Sequence, residues 1–185
     1  MKKSFEKGFV APHPVFIIAT YDKDGTPNAM NAAWAGQVGP NQLAIALSPH
    51  NSTENLKRNK EFTVAYATKE KIDACDYVGI VSKNKVPNKL EKAGISVTKS
   101  EKVNAPIINE LPVSIECKII KIEEEFNETR IVAEIVGLVA DEEVLTNGKV
   151  DYSKAHFVVF DTVSLSYREV GDSVGGAWNV GKKLM

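Results

Sequence analysis

Three short stretches of this chain gather residue types that bind anions and flat rings. In Ser48-Pro49-His50-Asn51-Ser52-Thr53-Glu54-Asn55-Leu56-Lys57-Arg58, an apolar run leads into hydroxyl and amide residues that open a helix. Free backbone N–H groups and the positive end of the helix dipole make such a junction a ready seat for a phosphate. Ser48, Ser52 and Thr53 add hydroxyl donors there, Asn51 adds an amide, and His50, Lys57 or Arg58 add charge. The same pattern also describes a helix that Ser52 or Thr53 merely caps. The second stretch, Asn28-Ala29-Met30-Asn31-Ala32-Ala33-Trp34-Ala35-Gly36, sets two amides and a Trp among small residues. Small side chains let a flat ligand approach the backbone, and Asn both donates and accepts hydrogen bonds. Strand alternation puts Asn28, Ala32 and Trp34 on one face and Asn31 and Ala33 on the other. A Trp packed in the core beside turn amides fits the same residues. The third stretch, Val81 to Gly94, holds Ser82, Lys83, Lys85, Lys89 and Lys92 in a polar loop and short helix. By composition alone it reads as a solvated face.

Other chemistries lack an anchor. Gly176-Ala177-Trp178-Asn179-Val180-Gly181-Lys182 nearly spells a P-loop, but Lys183 stands where the magnesium-binding Ser or Thr belongs. There is no GxSxG elbow and no GxGxxG fingerprint. His13, His50 and His156 are isolated, which argues against zinc, and Cys75 and Cys117 read as two reduced structural thiols. A net charge of −1 gives no reason to expect nucleic acid or an anionic membrane as partner. The basic segment Met1–Lys7 has no apolar core of a signal peptide, and no apolar run approaches the roughly 18 residues of a membrane helix. A cytoplasmic location is expected.

The elements that must position these stretches are short β-branched and aromatic runs punctuated by turns. Strands are predicted at Val15–Tyr21, Asn28–Val38, Leu43–Leu47 and Phe62–Ala67, with an Asp22-Lys23-Asp24-Gly25 hairpin turn after the first. Leu111–Glu124 and Arg130–Val139 form a long hairpin turning near Asn127-Glu128, and His156–Val163 closes the strand list. Short helices are predicted from Ser52-Thr53 to about Asn59, over roughly Glu70–Val78, and from Asn88 to Ala93, the last ended by Gly94. Glu123-Glu124-Glu125 and Asp141-Glu142-Glu143 read as exposed hairpin ends. The class is mainly β with short α-helices, a closed barrel or sandwich, in one domain over residues 1–185.

The order Asn28…Trp34, Ser48…Thr53, Ser82…Gly94, followed by Val136-Gly137-Leu138-Val139 and Tyr167-Arg168-Glu169-Val170-Gly171, resembles the flavin-reductase-like, FMN-binding split-barrel family that includes flavoredoxin. The resemblance spans roughly residues 8 to 178. It implies a Greek-key split β-barrel that dimerises, with FMN in each subunit near the dimer interface. Carried over by position, Asn28 and Trp34 would lie against the isoalloxazine ring, with Ala32 and Ala33 offering backbone contacts. Ser48, Ser52 and Thr53, in the segment with His50 and Asn51, would hold the ring edge or the ribityl phosphate. Lys89 matches a lysine that reaches the flavin, Ser82 belongs to the same segment, and Tyr167 would close the pocket. One departure is that relatives often carry a His just after the turn of the long hairpin, where this chain has Thr129 and Arg130.

The resemblance further implies NADH or NADPH as donor, with free flavin, a redox protein or oxygen as acceptor. No side chain is expected to act as general acid or nucleophile. Three functions fit: an NAD(P)H-dependent flavin reductase, an electron carrier with tightly held FMN, or a barrel that has lost flavin and only binds partners.

Overall fold

The apolar runs form the strands expected of them in a computed structural model that describes residues 1–185. The chain opens with β1 (His13–Pro14), β2 (Phe16–Tyr21), β3 (Pro27–Ala32), β4 (Ala35–Gly39) and β5 (Gln42–Leu47). Helix α1 (Asn51–Asn59) leads to β6 (Glu61–Tyr66), then α2 (Ile72–Ile80) and α3 (Lys89–Lys92). Two short strands, β7 (Val97–Lys99) and β8 (Pro106–Ile108), precede the long hairpin of β9 (Val113–Glu125) and β10 (Glu128–Ala140). After β11 (Leu145–Thr146), β12 (Lys149–Val150) and α4 (Tyr152–Ala155), a last hairpin is made by β13 (Val158–Asp161) and β14 (Ser166–Glu169).

Seven strands pair antiparallel in the order β3-β2-β6-β9-β10-β5-β4. Were the sheet flat, six gaps of about 4.8 Å would hold its edges roughly 29 Å apart. Yet the two edge strands, β3 and β4, are joined by Ala33 and Trp34 alone, a link that reaches about 11 Å between Ala32 and Ala35. The sheet must therefore curl until its edges meet, which makes it a barrel. β5 and β6 are consecutive in the chain but have β9 and β10 between them, a Greek-key crossing carried by α1.

Burial follows from this closure. Phe16, Ile18, Leu43, Ile45, Phe62, Val64, Ile115, Ile131 and Ala133 fill one cluster contributed by strands all round the barrel. Val15, just before β2, and the alternate β2 residues Ile17 and Ala19 join a second cluster with Ala74, Cys75 and Val78 of α2 and with Ile95, Ile108 and Leu111. β2 is thus buried on both faces, which is why it reads as an unbroken apolar run. Cys75 and Cys117 lie in different clusters, each as a free, buried thiol. Burial pushes both thiols up to about 12. No helix is long and apolar enough to cross a membrane.

The turns obey local chemistry. Gly25 takes φ 80° in the β2–β3 hairpin, and Phe126 and Asn127 both take positive φ in the two-residue turn between β9 and β10. Three expectations need correcting. The strand predicted over Asn28–Val38 breaks at Ala33-Trp34, because the chain must step there from one barrel edge to the other. Trp34 consequently leaves the alternation and is 57% exposed, so it is not a core residue. The strand predicted over His156–Val163 is observed only as β13, Val158–Asp161; His156 takes a left-handed conformation that ends α4, and a further strand, β14, follows β13.

Candidate functional site

Two clefts meet beside the C-terminal turn of α2, where Met30, Asn31, His50, Gly79 and Ile80 line both. The first, about 320 Å³, is walled by Ala32, Ala33, Trp34, Leu47, Phe160 and Tyr167, with Ser48 and Asp76. The second, about 630 Å³, is polar and includes Asn28, Asn51, Ser52, Ser82, Lys83 and Lys89. Local folding explains the arrangement. α2 lies close on β3 because Gly79 has no side chain: a Cβ there would sit 2.8 Å from Asn31 Cβ. Asn31 Nδ2 donates to the Cys75 carbonyl and ties the strand to the helix.

The N-terminus of α1 opens onto the polar cleft. His50 holds the N-cap position without a side-chain capping bond, so the first-turn amides have no intrahelical partner. Neither Ser52 nor Thr53 is the cap; both lie inside the helix and are buried. Ser52 Oγ accepts from Asn28 Nδ2 at 3.1 Å, while Thr53 Oγ1 donates to the Ser48 carbonyl at 2.8 Å. Thr53 is fully buried and lines neither cleft; it shapes the Ser48–Thr53 bend from beneath. The other eleven residues carried over from the resemblance line one or both clefts. Lys57 and Arg58, read as possible charges for the phosphate, line neither: Lys57 pairs with Glu54 and Glu124, and Arg58 donates to the Tyr21 carbonyl and to Asn55 Oδ1.

The electrostatics turn on Lys89 and Asp22. Lys89 is 3% exposed, and its ammonium donates to the Val78 and Val81 carbonyls at 3.2 and 3.0 Å without a carboxylate partner. Burial lowers it to about 8, the charge of Asp22 works against that, and Lys83 adds a smaller lowering. Lys83 is matched, because its Nζ lies 2.6 Å from Asp22 Oδ2. Asp22 Oδ1 accepts from Asn51 Nδ2 at 2.9 Å and from Asn55 Nδ2, so one carboxylate joins the β2–β3 turn, α1 and the loop after α2. Burial opposes the charge of Asp22, but Lys83, Asn55 and Asn51 more than offset it and hold the carboxyl below its usual range. A second buried atom, Asn28 Oδ1, has no hydrogen-bond partner. An unmatched buried cation, an orphaned acceptor and free helix amides in one cleft are what an anionic, hydroxyl-bearing ligand would satisfy.

Sequence reasoning missed Asp22 and Asp76. Asp22 was read only as a turn residue; its signal is the Asn51/Asn55 pair at i,i+4, which puts two amides on one helix face. Asp76 gave no signal, because its partner Tyr167 sits on the strand that went unread. Arg130, where the resemblance led to the expectation of a His, lies outside both clefts; it contacts Glu128 at 3.6 Å and lines a separate shallow groove beside Trp34.

Residues 10–158 match the family model described as "Flavin reductase like domain". Flavoredoxin of Desulfovibrio vulgaris (Miyazaki F) is 33% identical, with a TM-score of 0.91 over 98% of this chain and 100% of that chain. Flavoredoxin from Methanosarcina acetivorans is 29% identical, with a TM-score of 0.89 over 100% and 99%. The FMN-binding domain of a flavin reductases-like enzyme from Shewanella baltica shares the fold at 20% identity, with a TM-score of 0.77 over 89% of each chain. An uncharacterized protein of Archaeoglobus fulgidus is 34% identical over 113 residues, 60% of this chain. The matched segment spans 63% of that relative's length and 44% of one from Aeropyrum pernix.

Proposed function

This chain belongs to the flavin reductase like domain family, and we propose that it is an FMN-binding oxidoreductase, one domain over residues 1–185, acting as a cytoplasmic homodimer. The observation that carries the reading is the division of the site into an aromatic cleft and a cationic one. FMN is divided in the same way, into a flat tricyclic ring and a ribityl phosphate. The first-turn amides of α1, with Ser52, Ser82 and Lys89, would hold the phosphate. Asn28, which the resemblance would set against the ring, lies beside Ser52 in the polar cleft and offers its free acceptor to a ribityl hydroxyl. Ala32, Ala33, Trp34, Ser48 and Tyr167 would frame the ring, with His50 at the junction of the two clefts.

When bound, FMN supplies two-electron redox chemistry. The protein's own part is to bind the cofactor, orient it and keep one side of the site open to a donor. NADH or NADPH is the proposed donor, and free flavin, a redox protein or oxygen the acceptor. No nucleophile is assigned; thiols pushed up to about 12 and buried in the core are inert at neutral pH.

A second reading, an electron carrier that reacts poorly with nicotinamides, is favoured by one finding: both flavoredoxins cover nearly the whole chain. Visible spectra of the purified protein, before and after anaerobic addition of NADH and then NADPH, separate the two. Flavin bands that bleach promptly support the reductase and identify the donor. Persistent bands support the carrier. No flavin uptake even from added FMN would rule out both.

A further inference from the structure

The aromatic cleft carries a single carboxylate. Asp76, half-buried on α2, lines it with Asn31, Trp34, Phe160 and Tyr167, and no lysine or arginine does so. Its Oδ1 accepts a 2.6 Å hydrogen bond from the Tyr167 phenol. Burial, and then Asp76 itself, raise the phenol above its ordinary value, so Tyr167 keeps its proton and remains a donor to the carboxylate. The unmatched cation, Lys89, lies in the other cleft. The polar cleft also holds Glu54, paired with Lys57, and Lys83, paired with Asp22, which leaves Lys89 as its unmatched charge, whereas Asp76 is the one carboxylate beside the flat, apolar walls.

We propose that Asp76 sets the redox balance of the site, its fixed charge opposing any gain of negative charge in the aromatic cleft and so favouring the oxidised form of the ring bound there. This rests on the FMN reading, with the ring in the aromatic cleft and the phosphate in the polar one. A ring that takes up two electrons and one proton gains one unit of negative charge. A carboxylate on the same cleft raises the energy of that form through Coulomb repulsion. Phe160 and Tyr167 wall the cleft beside Asp76, while Trp34 and Ile80 are exposed at its mouth, so solvent screens part of this repulsion. The consequence is a site that gives up electrons readily, suited to acceptors of low potential.

The test is the midpoint potential of the FMN-loaded protein, measured by anaerobic titration against reference dyes, for wild type and for Asp76→Asn, Asp76→Ser and Asp76→Glu. The two neutral variants are expected to favour reduced over oxidised FMN by about tenfold more than wild type, equivalent to about 30 mV for a two-electron couple. Asp76→Glu, which keeps the charge, should stay near the wild-type potential. Neutral variants at the wild-type potential, or a Glu variant shifted as far as they are, overturn the proposal. Fluorescence titration with FMN separates this failure from that of the function itself. Wild-type protein that takes up no FMN overturns both, whereas uptake with a charge-independent potential overturns only the role of Asp76.

Discussion

At the scale of single residues, the site depends on which charges are left unmatched. Lys83 and Lys89 stand six positions apart in one lysine-rich segment, yet one is paired with Asp22 and the other has only carbonyl oxygens. Composition does not distinguish them, and by composition the whole segment passed for a solvated face. Lys89 also gives the site a pH dependence with a definite sign. Its ammonium is lowered to about 8 by burial, and a bound phosphate would favour the charged form. FMN affinity should therefore be greatest below pH 8 and fall as the pH rises beyond it. Lys89→Met should weaken FMN at pH 7 by roughly ten- to a hundredfold, the equivalent of a charge-assisted hydrogen bond of about 1.5–3 kcal/mol. The same variant should flatten the decline at alkaline pH. Flavin fluorescence titrations from pH 6 to 10 check both; equal affinities and equal pH profiles would remove Lys89 from the site. Thr53 shows the converse case, a residue with phosphate-binding chemistry whose hydroxyl is instead spent on the Ser48 carbonyl.

At the scale of elements, the clefts exist because α2 packs directly on β3. Gly79 permits that approach, with room for no Cβ against Asn31. Alanine ordinarily favours a helix over glycine by about 0.5–1 kcal/mol, but overpacking costs about 1–3 kcal/mol. The clash should win at this position, so Gly79→Ala is expected to lower the melting temperature and to weaken FMN binding, since Gly79 lines both clefts. Thermal unfolding and flavin titration of that one variant decide it; an unchanged melting temperature would mean that α2 can retreat without cost. The break between β3 and β4 is the other decisive element. It removes Trp34 from the strand and presents it, largely exposed, at the cleft mouth. Periodicity predicted one continuous strand there because Asn28–Val38 carries no proline or turn signal at the break. What bends the chain is the distance between barrel edges, and that is a property of the closed sheet.

At the scale of the whole molecule, the assembly is expected to be a homodimer, and light scattering at micromolar concentration should return twice the chain mass; a single chain mass would refute it. The sequence by itself determined most of the β architecture. Val15–Tyr21, Leu43–Leu47 and the long hairpin are legible because apolar alternation, β-branching and Asp-Gly turns act over a few neighbouring residues. It also determined the chemistry available to the site, the hydroxyls and amides of Ser48–Thr53, the small residues before Trp34, and the lysines after Ser82. Tertiary structure alone decided how that chemistry is apportioned. Barrel closure brings Asp22 against Asn51, Asn55 and Lys83, and pairing of the last hairpin brings Tyr167 to Asp76. Those contacts join segments far apart in the chain; a local pattern can show the Asn51/Asn55 amide pair but not the carboxylate it meets. Which cation is left unmatched, and which carboxylate faces the aromatic cleft, follow from the register and curvature of the closed sheet.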